Sequence, residues 1–213
     1  MLIPFDGLWK RHGIRAPGVV HIGANDGVLE AALYHKLGVR KVIWIEAEPV
    51  TFGKLKATVA KYPNDICLQA CVSDVDGQTV KFHIANNASN SSSMLEFGSH
   101  TTAHPDVTFI DTIELVTTRV DTLFKKHNIQ LGNGWFINCD VQGAELLALK
   151  GCGELLWHFD YAYVEVNERE LYKLCPLTKD IDAYLDRFGF VGIEERITPQ
   201  FWGDKFYKRW RKP

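Results

Sequence analysis

Apolar residues follow two alternating rhythms along the chain. Short unbroken runs rich in β-branched and aromatic residues read as buried strands: "GVVHI" (18–22), "KVIWIEA" (41–47), "DICLQACV" (65–72), "GWFINCDV" (134–141) and "FDYAYVEVN" (159–167). Between them the apolar positions shift to helical spacing. Leu29, Ala32, Leu33 and Leu37 mark one helix over 27–38, and Pro49 and Pro63 bracket a second over 49–63. Residues 143–151 and the amphipathic 178–190 give two more. "DVDGQTVKFHIA" (74–85) predicts a turn on Asp76-Gly77 and then an alternating strand, and 113–128 a strand running into a short helix. "VGIEERIT" and "DKFYKRW" predict a closing antiparallel pair.

This alternation predicts an α/β domain with a mostly parallel sheet and helices on both faces. Ligands of such sheets bind beyond the carboxyl ends of the strands, here just after residues 22, 47, 70, 139 and 165. Residues 86–112 begin with "NNASNSSSMLEFGSHTTAHPD", a polar stretch too long for a mere connector, and are expected to form an active-site loop. Residues 1–17 read as an N-terminal extension. With no repeat and no composition shift, residues 1–213 are expected to form a single domain. Met1 is equally what an added start codon would leave on a domain cut from a longer polypeptide.

Composition narrows the partners. Lys plus Arg number 24 against 26 Asp plus Glu, a net charge of −2 that asks for no nucleic acid. No apolar run approaches the roughly 20 residues of a membrane span, and the first 18 residues lack a signal-peptide core. The five cysteines form no CxxC pair, and buried reduced thiols in a reducing, cytoplasmic setting are expected.

The chemistry starts at "VVHIGANDGV" (19–28). Gly23 and Gly27 let the chain turn tightly between strand and helix, and the helix that follows points its amides at the same spot. Glu48 comes twenty-one residues after Gly27, where an acid takes the ribose hydroxyls of an adenosine cofactor. Dinucleotide sites use GxGxxG, whereas this turn is GxxxG, which suits a cofactor without pyrophosphate such as S-adenosylmethionine.

"HIGANDG", "WIEAEP", "FINCDVQGAELLALKG", "YVEVNERELY" and "FWGDKFY" together resemble the FkbM-type methyltransferases, over about residues 18–208. The resemblance implies the class I S-adenosylmethionine-dependent fold, Rossmann-like, with a seven-stranded sheet whose last strand is reversed. It implies methylation of a sugar hydroxyl on a glycan or glycoconjugate, with a terminal deoxyhexose as the favoured acceptor. By the same resemblance, Gly23, Ala24, Asn25 and Gly27 surround the methionine part of the cofactor and Glu48 binds its ribose. Cys71, Val72 and Ser73 border the adenine, Asp140 lies near the reacting methyl, and Gly143 and Glu145 complete the "DVQGAE" turn. Two positions depart from the common pattern. His21 stands where the family often has Asp, offering the cofactor a hydrogen-bond acceptor without charge, and Gln142 stands where "DVEG" has Glu. Both are read as marks of a subfamily.

A sugar hydroxyl needs a general base, or a cation that lowers its pKa. Asp140 and Glu165 are expected at one rim of the sheet, and His100 in the long loop is a third candidate base. Asp140, Glu165 and Asp204 gathering Mg2+ or Mn2+ is the alternative. Ser92, Ser93, Asn167, Trp202 and Asp204 are candidate contacts to the acceptor. The tail "KFYKRWRKP" reads as a solvated terminus, or as a contact for an acceptor phosphate. Competing functions are methylation of a non-sugar small molecule and a non-catalytic binding module on the same fold.

Overall fold

A computed structural model describes residues 2–210. Its main sheet has seven strands in the spatial order β3-β2-β1-β7-β8-β10-β9. In chain order these are β1 (Val19–Ile22), β2 (Val42–Glu46), β3 (Ile66–Gln69), β7 (Trp135–Cys139), β8 (Phe159–Asn167), β9 (Phe190–Ile197) and β10 (Trp202–Arg209). β1, β2, β3, β7 and β8 are mutually parallel, whereas β10 lies antiparallel between β8 and β9. The expected closing pair therefore forms, with the reversed strand inserted one place inside the edge.

Every residue of β1, β2 and β7 is buried, as helices on both faces require. Strand parity sorts them into two cores. Val20, Ile22, Ile43, Ile45 and Ile137 pack on one face with α5 (Val120–Lys126), α6 (Glu145–Cys152) and α7 (Thr178–Asp186). Val19, Val42, Trp44 and Phe136 pack on the other with α2 (Val28–Lys36) and α3 (Pro49–Val59).

Three segments differ from the sequence pattern. The N-terminal extension contains helix α1 (Phe5–Arg11), whose Phe5, Leu8 and Trp9 are buried, with the Phe5 and Trp9 rings 5.2 and 5.1 Å from the Phe136 ring. Arg11 fastens it to β9 through both carboxylate oxygens of Glu194. The run 65–72 breaks at Ala70, whose amide bonds back to the Glu46 carbonyl, and β4 (Cys71–Val72) then joins a separate three-stranded sheet. That sheet also holds β5 (Thr79–Ala85) and β6 (Phe109–Thr118), the latter starting four residues before the apolar alternation suggests. The long loop is thus the tip of the β5–β6 hairpin, and it carries the one-turn α4 (His100–Ala103).

All five cysteines are free thiols. Among the described residues no helix is long and apolar enough to cross a membrane. In the basic tail, Lys205 pairs with Asp182 and Glu195, and Arg209 with Asp160, so these cations are committed within the fold. Residues 211–213 of that tail lie outside the described residues.

Candidate functional site

Two cavities open at the carboxyl ends of the parallel strands and share one wall. The first, of about 370 Å3, lies between the turn after β1 and the end of β2. Gly23 sits at φ +78°, and a Cβ there would fall 1.7 Å from the Asp140 carbonyl oxygen, so the turns after β1 and β7 touch through their backbones. Asn25, also left-handed at φ 48°, donates its amide to Glu46 Oε2 at 2.8 Å. Glu46 Oε1 accepts the Glu48 amide at 2.9 Å. Burial raises the pKa of the Glu46 carboxyl.

Glu48 does not reach this cavity. Its oxygens accept from the amides of Val50 at 2.9 Å and Thr51 at 2.6 Å, which makes it the N-cap of α3. The acid that lines the cavity at the end of β2 is Glu46, two residues earlier and the last residue of that strand. Cys71 and Val72 line the far wall with Ala70 and Phe82, but Ser73 does not; its hydroxyl turns to Asp74. Burial pushes the Cys71 thiol up to about 12.

His21 lines the floor. It is fully enclosed, and burial lowers its pKa to about 3, so the ring is neutral. The Asn138 amide nitrogen lies 3.3 Å from Nε2 and 2.8 Å from the Tyr34 hydroxyl. With Nε2 accepting from Asn138, the ring proton sits on Nδ1, facing Tyr34 at 3.3 Å. Both ring nitrogens are therefore engaged within the protein. The position is a buried polar triad rather than a free acceptor.

The hairpin tip roofs the cavity. Asn25 Nδ2 donates to the Ala88 carbonyl and to Asn90 Oδ1 at 2.9 Å, and Ser92 and Met94 also line the space. Ser92 Oγ accepts the Ala85 amide, so it also ties the tip to β5. Ser93 faces neither cavity. Its hydroxyl donates to the Gln142 carbonyl at 2.7 Å and accepts the Leu95 amide.

Asp140 and Gln142 form the shared wall and line both spaces. Gln142 holds a left-handed backbone (φ 54°), and its side-chain amide donates to Asp140 Oδ1 at 2.6 Å and Glu165 Oε2 at 2.8 Å. Its Oε1 accepts the Tyr172 hydroxyl at 2.7 Å. Gly143 (φ +95°) follows because a Cβ there would meet the Tyr172 ring at 2.9 Å. Glu145 caps the turn from below: one oxygen accepts the amides of Val141 and Gly143, and the other, wholly buried, has no donor.

Oxygens of Asp140, Glu145 and Glu165 all lie within 4.8 Å of one another. Burial raises the pKa of each, with Glu165 pushed furthest by burial and then by the charges of Asp140 and Glu145. Glu145 rises to about 7. Within the pair the proton is favoured on Glu165, whose carboxyl is raised the further of the two by burial and by the neighbouring carboxylates.

The second cavity, of about 340 Å3, lies on the other side of this wall. Besides Glu165 it is lined by Asn87, Asn90, Ser91, His104 and Trp202, with His100 against Tyr172 at its back. His100 stacks on Phe97 at 4.1 Å, and burial lowers its pKa to about 4. Two other expected contacts are elsewhere. Asn167 is buried without lining either space. Asp204 is taken up by the Tyr163 hydroxyl at 2.5 Å and the Leu2 amide, so Glu145 stands where Asp204 was expected in the carboxylate group.

Glu46, Tyr172 and His104 were not assigned roles by sequence reasoning, and Glu145 was expected only in the "DVQGAE" turn, not in the carboxylate group. The signal for Glu46 was parity: it shares the strand face of Trp44, whereas Glu48 already belongs to the helix.

Similarity to known proteins agrees with this geometry. No curated protein sequence matches the chain. Among solved structures it resembles a methyltransferase FkbM from Methylobacillus flagellatus KT, with 16% identity and a TM-score of 0.59, over 96% of this chain and 48% of that one. The chain thus spans about half the length of that protein. A putative RNA methyltransferase from Pyrococcus horikoshii (14% identity, TM-score 0.51, 95% of this chain and 80% of that one) shares the fold. So does a protein of the NADB-Rossmann superfamily from Streptococcus agalactiae (11% identity, TM-score 0.52, 100% and 71%). The methyltransferase FkbM domain model matches residues 21–191, and on that match the chain belongs to the FkbM methyltransferase family, with the class I methyltransferase fold.

Proposed function

We propose that this chain is an S-adenosylmethionine-dependent O-methyltransferase acting on a sugar hydroxyl of a glycan or glycoconjugate, with a terminal deoxyhexose as the favoured acceptor. The observation that carries the reading is the shared wall. A single carboxyl residue, Asp140, borders both a cavity at the glycine turn and a second cavity walled by amides, hydroxyls, imidazoles and an indole.

The first cavity suits an adenosyl cofactor. Glu46 would receive the ribose hydroxyls, Cys71 and Val72 would flank the adenine, and the turn from Gly23 to Asn25 would hold the amino-acid end. When bound, S-adenosylmethionine supplies a methyl group on a positively charged sulfur. In the second cavity, Asn90 and Ser91 offer hydrogen bonds to hydroxyls, and Trp202 an apolar face for sugar C–H groups. Asp140 would accept the proton that the reacting hydroxyl gives up when its oxygen takes the methyl group, the S–CH3 bond breaking and S-adenosylhomocysteine leaving. Glu165, holding its proton, limits the charge of the pair, and Gln142 fixes both carboxylates through one amide. Holding the acceptor oxygen in line is the larger part of the rate gain.

A divalent cation is a second occupant that the Asp140, Glu145 and Glu165 oxygens would suit, since hard cations take oxygen ligands. The test has two stages. Isothermal titration with S-adenosylhomocysteine should give micromolar binding, lost on Glu46→Ala and kept on Asp140→Asn. Transfer of labelled methyl to a panel of glycans, with and without EDTA, then identifies the acceptor and the role of metal. Absence of S-adenosylhomocysteine binding would refute the assignment.

A further inference from the structure

The second cavity has a one-sided charge. Its carboxylate is Asp140, with the carboxyls of Glu165 beside it and Glu145 just behind; besides the imidazoles of His100 and His104, no basic side chain of the described residues lines it. The basic residues next in sequence to its walls are engaged elsewhere. Arg169 lies over the Phe201 ring at 3.5 Å, Lys173 pairs with Glu96, and Lys205 pairs with Asp182 and Glu195. His100 adds no compensating charge, because it is buried, with Nδ1 unpartnered and its ring neutral. The charged side chains acting on Glu165 include three carboxylates, Asp140, Glu145 and Asp204.

We infer that this cavity selects acceptors by charge: it admits uncharged or amine-bearing hydroxyl compounds and rejects an inserted end that carries phosphate, sulfate or carboxylate. The inference rests on the reading of this space as the acceptor site. It narrows that site to neutral sugars and amino sugars, against sugar phosphates and uronic acids. With no cation bound, one additional negative charge about 6 Å from the Asp140 carboxylate, at an effective dielectric near 20, disfavours binding by about a hundredfold. An ammonium at the same distance gains from the same field. Any phosphate or carboxylate of the natural acceptor then lies outside the cavity.

The field can be read without turnover. Val107 lines the cavity and is partly exposed, so Val107→Cys places a thiol in it. The EDTA-treated full chain is reacted at pH 8 with a cationic and an anionic methanethiosulfonate, and the increment over the unsubstituted chain gives each rate. Their ratio is compared with that of 2-mercaptoethanol. A ratio at least tenfold higher in favour of the cation, falling when Asp140→Asn is added, is expected. A ratio equal to or below that of the free thiol overturns the inference. Ser91→Cys serves as the reporter if Val107→Cys does not fold. Because the labelling needs neither cofactor nor acceptor, its failure is distinct from a failure to bind S-adenosylhomocysteine.

Discussion

Two glycine-to-alanine substitutions in one chain should act in opposite directions. At Gly23 the added methyl would lie 1.7 Å from the Asp140 carbonyl oxygen and 3.1 Å from Val141 Cγ1, on a backbone held at φ +78°. The left-handed conformation costs about 1–2 kcal/mol for an L side chain. Relieving the overlap costs about 2–3 kcal/mol more, because the neighbour is backbone. Gly23→Ala should therefore destabilise by about 3–5 kcal/mol. At about 2–4 °C per kcal/mol for a domain of this size, its melting temperature should fall by roughly 6–20 °C. Because the same displacement separates the turns after β1 and β7, S-adenosylhomocysteine affinity should fall with it. Gly53, exposed within α3, has no atom within 4 Å of the position its Cβ would take. Gly53→Ala should gain about 0.5–1 kcal/mol of helix propensity and leave affinity unchanged. Differential scanning calorimetry and isothermal titration on the two variants decide the matter. A Gly23→Ala protein that melts within 2 °C of its parent and binds S-adenosylhomocysteine equally well would refute the reasoning.

Further outcomes follow from the site. Glu48→Ala should lose about 1 kcal/mol of stability as a missing helix cap while keeping cofactor affinity, whereas Glu46→Ala should lose the affinity; paired melts and titrations separate them. Asp140→Asn should reduce methyl transfer at least about a hundredfold with S-adenosylhomocysteine affinity changed only a few-fold, read from initial rates alongside titration. Glu145 has a folded-state pKa raised to about 7, so the native state binds its proton more tightly than the unfolded chain does. That stabilisation is fully present below about pH 4.5, is lost as pH rises through about 7, and amounts to at most about 3 kcal/mol. Urea unfolding across this range should show the decline, and Glu145→Gln, which keeps an acceptor for the amides of Val141 and Gly143, should flatten it.

Much of the fold was legible because the central strands are unbroken apolar runs. Val19–Ile22 and Phe159–Asn167 lie where those runs predict. Helix α1 was not, since seven residues carrying three large apolar side chains show no sustained period, and the partners of its Phe5 ring, Tyr34, Phe136 and Tyr163, are all remote in sequence. Local spacing located the glycine turn and Asp140, because both sit directly after strands. It chose Glu48 over Glu46 because two acids flank Ala47, and counting from Gly27 does not register which one still belongs to the strand. Ser93, Asn167 and Asp204 are polar residues absorbed by tertiary hydrogen bonds or burial, which no local pattern reveals. Gln142 proved to be the bridge between two carboxylates, a role visible only once β7 and β8 are side by side.

The hairpin tip couples the two spaces. Asn90 is held to Asn25 over the first cavity and also lines the second, so one segment roofs both spaces. A ligand that orders this segment from one side lowers the entropic cost of ordering it for the other. Occupancy of the two spaces is then reciprocal: a ligand in one tightens a ligand in the other by the same factor in either direction. A change that frees Asn90 from Asn25 should accordingly weaken ligands in both spaces together.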